Sequence, residues 1–385
     1  MANNNNNKIL NVPNLRFPEF TGEWKKCKLG DVANLTKGVG ISKGQKSSKG
    51  NPCILYGELY TTYKSEMITD IVSKTNIDSA NLAKSKYNDV IIPSSGETAI
   101  DISTARCVQY NDVLLGGDLN IIRLNDGNDG SFFSYQLNGV RKRDIAKVAQ
   151  GVSVVHLYGE TLKTIKVNSP ELVEQNKISS LLCLIDQRIS TQNKIIEDLK
   201  KLMSAIYQNV FCRKEANVVS LGDICSIVKG QQLNGDSLSK NGDYYVMNGG
   251  VSPSGYYSAY NNEPNTISIS EGGNSCGYVQ YNNERFWSSG HCYSLQNLSS
   301  DINSMYLYHY LKYCENSIMK LRIGSGLPNI QKKDLSAFKI FLPDKESQKQ
   351  LASIFTSIDT KYSVEKILLS EYVNQKLYLL QQMFI

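Results

Sequence analysis

Two segments, one in the middle of the chain and one at its end, carry apolar residues at every third or fourth position. Residues 171–212 and 344–385 contain no proline or glycine, and each follows a proline that suits the start of a helix, Pro170 or Pro343. Each pattern lasts about five heptads, which predicts two helices about 60 Å long that form a coiled coil. The predicted seam positions are Ile178, Leu182, Ile185, Ile189, Ile196, Leu199, Met203, Ile206 and Val210, and then Leu351, Phe355, Ile358, Tyr362, Leu369, Tyr372, Leu379 and Met383.

Each seam also contains a polar residue at the same place in its pattern. These residues are Gln192 and Glu365, and Lys376 is a further exception in the second seam. A buried polar seam residue can fix the register or the partner of a coiled coil. Because the two segments are similar, we expect them to pair within the chain as an antiparallel coiled coil. The helix faces left over would be docking surfaces for other proteins.

The regions that precede the two helices alternate short β-type runs with polar, glycine-rich loops. This pattern predicts an α+β module before each helix, with the polar loops at one edge. The predicted strands are 89–93, 112–115 and 120–124 in the first module, and 244–247, 266–270 and 291–295 in the second. The predicted short helices are 131–137 and 302–313.

The chain repeats itself, which predicts a pseudo-two-fold architecture of module, helix, module, helix. The sequences Leu29-Gly-Asp31 and Lys37-Gly38 recur 192 residues later as Leu221-Gly-Asp223 and Lys229-Gly230. A later set recurs after 173 residues, so the first copy is longer by 19 residues. The pairs of that set are Gly151 and Gly324, Leu162 and Leu335, Lys166 and Lys339, Pro170 and Pro343, Gln175 and Gln348, Asp186 and Asp359, and Phe211 and Phe384.

The two copies agree at their starts and helices, but their middles differ. Residues 45–145 and 235–320 show little similarity to each other. One frame that carries two different inserts is what a protein with two separate recognition tasks needs. A duplication can also simply enlarge a core, and the repeat alone does not decide between these interpretations.

Composition and charge narrow the class of protein. The formal net charge of +6 permits nucleic-acid binding without requiring it. The nine cysteines form no C-x-x-C pair, so we expect free thiols in a reducing cytoplasm rather than a zinc ribbon or a redox motif. No apolar stretch is long enough to cross a membrane, and the start of the chain lacks the features of a signal peptide. We expect the run Asn3–Asn7 to belong to a disordered tail.

Three loops of each module carry the candidate binding residues. Lysines can follow a phosphate backbone, whereas hydroxyl, amide and carboxylate groups on glycine turns can reach base edges. The same loops could equally be solvated loops, plain turns or half-buried sheet edges. The candidates for DNA contact in the first module are Lys37, Lys43, Lys46, Lys49, Ser94, Ser95, Glu97, Thr98, Gln150, Ser153 and His156. In the second module they are Lys229, Gln231, Gln232, Tyr256, Tyr257, Glu271, Asn274, Ser275, Arg322, Ser325, Asn329 and Gln331.

Motifs for catalysis are missing from the sequence. The three histidines form no zinc-ligand pattern, no G-x-S-x-G elbow occurs, and Gly44 is followed by Gln45 where a phosphate-binding loop needs lysine. We also find neither the tetrapeptide that amino-methyltransferases use nor a glycine motif for a methyl donor. The sequence therefore predicts no catalytic residue and no metal ligand.

Taken together and in order, several segments resemble the specificity subunit of type I restriction-modification enzymes across nearly the whole chain. Any one of them is a weak signal, and the most specific is 149–163. The segments are 13–20 with Trp24, 28–31, 116–123, 149–163, 174–178 and 185–186, followed less literally by 348–352 and 358–359.

The resemblance implies two target recognition domains, each reading one half of a split double-stranded DNA sequence. It also implies that the helices set the unread gap and dock two methyltransferase subunits, which motor-nuclease subunits join. S-adenosylmethionine, ATP and magnesium would be bound by those partners and not by this chain, which would itself be non-catalytic. The implied divisions are 1–22 (N-terminal tail), 23–170 (first recognition domain), 171–214 (first helix), 215–343 (second recognition domain) and 344–385 (second helix).

Two other functions stay open at this point. A coiled-coil scaffold whose modules bind proteins would fit the same pattern, and so would an enzyme with unrecognised catalytic residues. Salt-dependent retention on DNA distinguishes the scaffold, and activity of the isolated chain distinguishes the enzyme.

Overall fold

The computed structural model describes residues 10–211, 217–324 and 326–385, which form two compact units. Unit 1 comprises residues 1–193 and 368–385, and unit 2 comprises residues 194–367. Each unit therefore contains one predicted module together with parts of both long helices, so the helices are shared between the units. The run Asn3–Asn7 lies outside the described residues.

Unit 1 is built on two five-stranded sheets. Its strands are β1 (Lys25–Lys28), β2 (Ala33–Lys37), β3 (Lys46–Ser47), β4 (Asn51–Ile54), β5 (Met67–Ile68), β6 (Ser73–Thr75), β7 (Ala83–Lys84), β8 (Asp89–Pro93), β9 (Ser95–Gly96), β10 (Arg106–Val108), β11 (Leu114–Leu115), β12 (Leu119–Leu124), β13 (Val155–His156) and β14 (Lys166–Ser169). Its helices are α1 (Leu29–Val32), α2 (Glu58–Thr61), α3 (Ala99–Ile102), α4 (Gly130–Asn138), α5 (Lys142–Val148), α6 (Gly159–Lys163) and the first part of α7 (Leu172–Phe211). The strand orders of the two large sheets are β2-β12-β8-β10-β5 and β3-β6-β4-β11-β7, and β1 pairs with β14 and β9 with β13.

Unit 2 is a smaller version of the same plan. Its strands are β15 (Asn217–Ser220), β16 (Ser226–Lys229), β17 (Tyr244–Met247), β18 (Gly255–Tyr257), β19 (Thr266–Ser270), β20 (Val279–Asn282), β21 (Phe286–Ser288), β22 (Cys292–Gln296) and β23 (Lys339–Leu342). Its helices are α8 (Leu221–Ile224), α9 (Ser304–Tyr313), α10 (Glu315–Met319), α11 (Lys332–Ser336) and the first part of α12 (Lys345–Gln382). The sheets run β16-β22-β19-β20 and β18-β17-β21, and β15 pairs with β23.

The predicted elements are confirmed, with small shifts at their ends. The strands at 89–93, 244–247 and 266–270 have the predicted bounds, whereas the predicted strand 112–115 is limited to β11 because Asp112 has a left-handed φ of 61°. The long helices begin two residues after Pro170 and Pro343.

The two long helices pair in antiparallel fashion, as predicted. In unit 1 the first part of α7 meets the last part of α12, where Arg188 lies over the ring of Tyr372. In unit 2 the last part of α7 meets the first part of α12, where Lys200 lies over the ring of Tyr362. All predicted seam residues are buried or half-buried. The polar seam residues Gln192 and Glu365 are also buried.

The repeated Leu-Gly-Asp sequence has a structural cause that is the same in both copies. Leu29 and Leu221 are fully buried, and Asp31 and Asp223 accept a hydrogen bond from the backbone N–H that precedes their helix. A Cβ on Gly30 would lie 2.9 Å from the Lys163 side chain, so helix α1 packs directly on α6. The motif is thus part of the frame of the fold.

A repeated glutamine fixes the start of each long helix. The Gln175 side chain donates to the Pro170 carbonyl at 2.9 Å and accepts from the Asp129 N–H at 2.9 Å. Gln348 makes the equivalent bonds in unit 2, to the Pro343 carbonyl at 3.0 Å and from the Asn303 N–H at 2.9 Å. Each glutamine thereby connects the start of a long helix to the N-cap of α4 or α9.

Replacement of Gln175 by leucine is expected to destabilise the protein by about 1–3 kcal/mol, because it leaves buried backbone groups unpaired. Gln348→Leu should have a similar effect on unit 2. Thermal unfolding of both variants measures this, with the exposed Gln381→Leu as the control. Equal melting temperatures for Gln175→Leu and Gln381→Leu would contradict the assigned role.

Residues 10–22 belong to unit 1 and pack beside the start of α7. The Arg16 guanidinium makes two bonds to the Glu174 carboxylate, at 2.7 and 2.8 Å, and Trp24 donates to the same carboxylate at 3.2 Å. Trp24 is buried against Phe132 and Phe384. The described part of the predicted tail, residues 10–22, is therefore an ordered segment that contacts the start of α7.

Candidate functional site

The polar loops of each unit gather at one sheet edge because of strand direction. In unit 1, β12 runs antiparallel to both β2 and β8, so the loops after Lys37 and after Pro93 leave from the same edge. In unit 2, β22 runs antiparallel to β16 and β19, which places the loops after Lys229 and after Ser270 together. This edge is the predicted location of the candidate residues.

The third predicted element forms a tight hairpin in both units. Gln150 and His156 exchange two backbone hydrogen bonds, of 2.9 and 2.7 Å, and Ile323 and Asn329 do the same at 2.8 and 3.0 Å. The glycine after the first strand residue has a left-handed φ in each case. We call these loops, residues 150–156 and 323–329, the tip hairpins.

Each tip hairpin pairs with the glycine turn of its own unit. In unit 1 this pairing is between β13 and β9, in which His156 lies opposite Ser95. In unit 2 Gly272 lies opposite Asn329, and the Gly273 N–H donates to the Pro328 carbonyl at 3.0 Å. The structure thus joins two of the three predicted elements in each unit.

Apolar side chains stand exposed on both tip hairpins. Val152 is 97% exposed and Leu327 is 84% exposed. Each tip hairpin therefore presents an apolar side chain to solvent.

The four lysines of the lysine-rich loop of unit 1 are all exposed, and Lys46 is also paired with a buried acid. Lys37 lies over the ring of Tyr158, 5.9 Å from its centre, and that ring stacks with His156 of the tip hairpin. Lys43, Lys46 and Lys49 are exposed, and Lys46 also forms an ion pair of 2.6 Å with the buried Glu58. The cations available to a ligand at this loop are therefore Lys37, Lys43 and Lys49.

The glycine turn of unit 1 divides into buried and exposed positions. Ser94 and Ser95 are buried, since the Ser94 carbonyl accepts from the Leu157 N–H and Ser95 lies opposite His156, so this conformation does not present their hydroxyls to a ligand. Glu97 is exposed, and Thr98 caps helix α3 by accepting from the Asp101 N–H. On the tip hairpin, the predicted candidates Gln150, Ser153 and His156 are all exposed.

In unit 2 the equivalent turn contains a buried acid. Glu271 is buried and pairs with Lys229 at 2.7 Å. Asn274 is exposed and Ser275 is half-buried. Ser270 and Gly272, which flank Glu271, are also buried, so the polar groups that reach the surface here belong to the far end of the turn.

The amide and aromatic candidates of unit 2 form a second patch beside this turn. Gln231 and Gln232 are exposed, and the Trp287 indole N–H donates to the Gln231 carbonyl at 2.9 Å. Tyr257 meets Trp287 edge to face at 5.1 Å, and its neighbour Tyr256 is exposed.

The remaining candidates lie on or next to the second tip hairpin. Arg322 and Gln331 are exposed, and the Gln331 amide donates to the Asn329 side chain at 2.8 Å. Ser325 lies outside the described residues.

Sequence reasoning missed three side chains at these edges. Tyr158 and Trp287 contact predicted residues, and His291 pairs with Glu271 through Nδ1 at 3.2 Å. Tyr158 lies within the most specific segment, 149–163, which was a usable signal. Trp287 and His291 lie in the middle of the second copy, which has no recognisable counterpart in the first copy, so the repeat does not mark them.

The part of the chain that the structure describes contains no cluster of three or more metal-ligating side chains. Its eight cysteines are unpaired. Burial raises the pKa of Cys53 and Cys292 to about 11 and that of Cys107 and Cys225 to about 12, so these thiols stay protonated and are poor nucleophiles. None of the described helices has the length and apolarity that a membrane span requires.

Comparison with known proteins gives one consistent family. The profile described as "Type I restriction modification DNA specificity domain" matches twice, at residues 21–201 and 213–373. A putative type I specificity subunit of Mycoplasma genitalium is 22% identical over 71% of this chain and 80% of its own length. A putative type I restriction enzyme specificity subunit of Methanocaldococcus jannaschii is 24% identical over 93% and 92%.

Solved structures show the same fold. The crystal structure of the S subunit of a type I restriction-modification system from M. genitalium superposes with a TM-score of 0.75 at 20% identity, covering 97% of this chain and 99% of that one. A chain from a structural study of type I restriction-modification complex assembly matches with a TM-score of 0.55 at 18% identity, covering 94% and 97%.

Proposed function

Because this chain belongs to the family of type I restriction-modification DNA specificity proteins, we propose that each of its units reads one half of a bipartite double-stranded DNA target. The paired helices would set the length of the unread gap between the two halves. The chain itself would contribute no catalytic residue, and methyl transfer would occur in a partner subunit that flips the target base.

The observation that carries this proposal is the equivalence of the two loop edges. Both units present a tip hairpin, a glycine turn and the loop after a Lys-Gly pair at the same sheet edge. The frame that holds these loops is repeated, whereas the loop sequences differ between the copies. One scaffold with two different reading surfaces fits two different half-sites.

The side chains at these edges suit both parts of DNA recognition. Exposed Lys43, Lys49 and Arg322 can neutralise phosphates, which would give binding that falls as salt rises. Exposed Glu97 and Asn274 can accept from or donate to base edges in the major groove.

Partner subunits would complete the enzyme. We propose that two methyltransferase subunits dock on the helix pair and that motor-nuclease subunits join them for cleavage. S-adenosylmethionine, ATP and magnesium would then be bound by these partners.

Methylome sequencing tests the proposal directly. A host that produces this chain with its cognate methyltransferase subunit is compared with a host that lacks this chain. A new bipartite methylated motif with a fixed gap is expected. An assembled complex that produces no motif and is not retained on DNA at low salt would favour the scaffold function instead.

Exchange of residues 45–145 for the matching segment of another specificity subunit is expected to change one half-site and leave the other half and the gap unchanged. The reason is that this segment lies wholly within unit 1. The same methylome measurement reads out the result. A simultaneous change in both halves would contradict modular reading.

Introduction of two charges on an exposed apolar face of α12 is expected to weaken methyltransferase binding at least tenfold, about 1.4 kcal/mol. Val373 and Leu377 lie one helical turn apart and are 39% and 52% exposed. The test variant is Val373→Asp with Leu377→Asp, measured by titration calorimetry or co-purification. The control, Asn374→Asp with Gln375→Asp, adds the same charge at exposed polar positions. Equal binding by both variants would place the docking surface elsewhere.

A further inference from the structure

A buried carboxylate at the loop edge of unit 2 orients an exposed histidine. The Glu271 side chain is 8% exposed and accepts from the Lys229 Nζ at 2.7 Å through one oxygen. Its other oxygen lies 3.2 Å from the Nδ1 atom of His291, whose side chain is 59% exposed. The carboxylate of Glu271 is therefore buried and held by Lys229, whereas the ring of His291 faces solvent.

This contact determines which ring nitrogen of His291 carries hydrogen. An ionised carboxylate only accepts hydrogen bonds, so the Nδ1 atom that faces it must be the protonated one. In the neutral ring the Nε2 atom is then an acceptor. Unlike a freely rotating histidine, His291 thus offers a defined hydrogen-bonding group.

Two glycines beside the ring allow the backbone to approach His291 closely. A Cβ on Gly272 would lie 3.3 Å from the Nδ1 atom of His291. A Cβ on Gly249 would meet the Gly272 carbonyl at 2.5 Å and the Cβ of His291 at 3.4 Å. The His291 N–H is in turn held by the Asn248 side chain at 3.0 Å. Gly249, Gly272 and Asn248 therefore surround His291 and help to fix its position.

The same two positions in unit 1 carry different chemistry. The Glu271 N–H donates to the His291 carbonyl at 2.9 Å, and the Ser94 N–H donates to the Asp118 carbonyl at 2.7 Å. The Glu271 carbonyl accepts from Ile330, and the Ser94 carbonyl accepts from Leu157, both at 2.9 Å. Ser94 and Asp118 are thus the backbone counterparts of Glu271 and His291. A shared backbone with exchanged side chains is what a specificity position requires.

We propose that His291 is a specificity-determining residue of unit 2, which uses its Nε2 atom to accept a hydrogen bond from the exocyclic amino group of an adenine or cytosine in the major groove. Glu271 is its positioning residue. This inference rests on the proposed function, since it names one contact of the reading surface described above. The amino groups of adenine and cytosine are the hydrogen-bond donors that these bases present in the major groove.

The first step of the test is to compare the methylomes of the wild-type complex and of His291→Ala. Wild type is expected to give a bipartite motif, and His291→Ala should accept other bases at one position of a single half-site. That half-site must be the one that exchange of residues 45–145 leaves unchanged. A wild-type complex without a motif contradicts the proposed function, whereas an unchanged motif in His291→Ala contradicts only the present inference.

The second step identifies the atom that is read. It uses synthetic duplexes altered at the base pair where His291→Ala accepts other bases. Removal of the amino group, by purine for adenine or 2-pyrimidinone for cytosine, should slow methylation by the wild-type complex about tenfold and leave His291→Ala unaffected. Replacement of the purine N7 atom by carbon should affect neither protein. If wild type responds to the N7 change instead, the imidazole acts as a donor and the proposed contact is wrong.

Variants of Glu271 separate positioning from general stability. Glu271→Ala should lose discrimination at the same single position, because the Nδ1 atom no longer has a fixed acceptor. Glu271→Gln retains an acceptor oxygen for Nδ1 and should preserve the wild-type preference. Loss of both half-sites in Glu271→Ala would show that Glu271 has only a structural role, and equal behaviour of the two variants would contradict its role in positioning His291.

Discussion

Replacement of Lys376 by methionine is expected to destabilise unit 1 by roughly 3–5 kcal/mol, since it leaves buried carboxylates without their cation. The Lys376 ammonium lies 2.6 Å from Asp186 and 2.5 Å from Glu66, and all three side chains are at most 14% exposed. The Tyr135 hydroxyl also donates to Asp186, at 2.7 Å. Buried Arg106 lies near enough to both carboxylates to interact with them electrostatically. Loss of Lys376 therefore leaves one cation for two acids.

The charge state of Lys376 supports this expectation. Burial alone would lower its pKa, but the carboxylates of Glu66 and Asp186 outweigh that effect, so its pKa lies above the ordinary value. A cation whose folded-state pKa is raised stabilises the protein at every pH below its unfolded pKa, and this stability is lost only as pH rises through the folded pKa. Lys376 is thus fully effective at neutral pH.

Thermal unfolding measures the effect, and a decrease in melting temperature of about 10 °C is expected for Lys376→Met. The control is Lys349→Met, an exposed lysine on the same helix. Addition of Glu66→Gln to Lys376→Met should recover part of the lost stability, because one uncompensated charge disappears. Equal melting temperatures for Lys376→Met and Lys349→Met would contradict the assigned network.

The second large effect is a loss of stability in acid that depends on His309 in unit 2. His309 is fully buried beside Tyr207, whose hydroxyl lies 2.8 Å from Nδ1, and burial lowers the pKa of His309 to about 4. The unfolded chain takes up a proton near pH 6.5, whereas the folded chain resists it until about pH 4. Stability from this group is therefore complete above pH 6.5 and is lost as pH falls. The expected loss is about 2 kcal/mol at pH 5 and about 3 kcal/mol at pH 4.

A neighbouring acid works in the opposite direction. Asp359 lies 3.8 Å from His309, and burial raises the pKa of Asp359, so its folded form gains a proton more readily as pH falls. The difference between wild type and a His309 variant isolates the histidine. His309→Gln should be about 2 kcal/mol less sensitive than wild type to a change from pH 7 to pH 5, measured by denaturant unfolding. The exposed His156→Gln is the control, and wild-type sensitivity in His309→Gln would contradict the prediction.

Features with a local or periodic signal could be predicted from the sequence. The seams of α7 and α12 follow from apolar spacing, and their antiparallel pairing follows from the repeat. The tip hairpins were located because Gly151 and Gly324 recur at the same distance before the last strand. Both glycines have left-handed φ values, which explains why this residue type is repeated.

Features that depend on distant partners could not be predicted. Lys376 stands out in its seam only as an exception, because its partner Glu66 lies 310 positions away in the chain. Ser94 and Ser95 look like available hydroxyls in the sequence, yet their backbone pairing with Leu157 and His156 accompanies their burial. The second sheet of unit 1 consists mostly of strands of two or three residues, which are too short to leave a periodic pattern.

The core of unit 1 includes the last residues of the chain, and this affects how the protein is made. Leu379, Leu380, Met383 and Phe384 belong to the same buried cluster as Trp24 and Leu29. The Leu15 N–H also donates to the Gln382 carbonyl at 2.9 Å. The first unit to emerge from the ribosome therefore cannot complete its core until translation has reached residue 384, whereas the core of unit 2 is complete once Phe355 has emerged. A chain cut before residue 379 would therefore lack part of the core of unit 1 and keep all the core residues of unit 2.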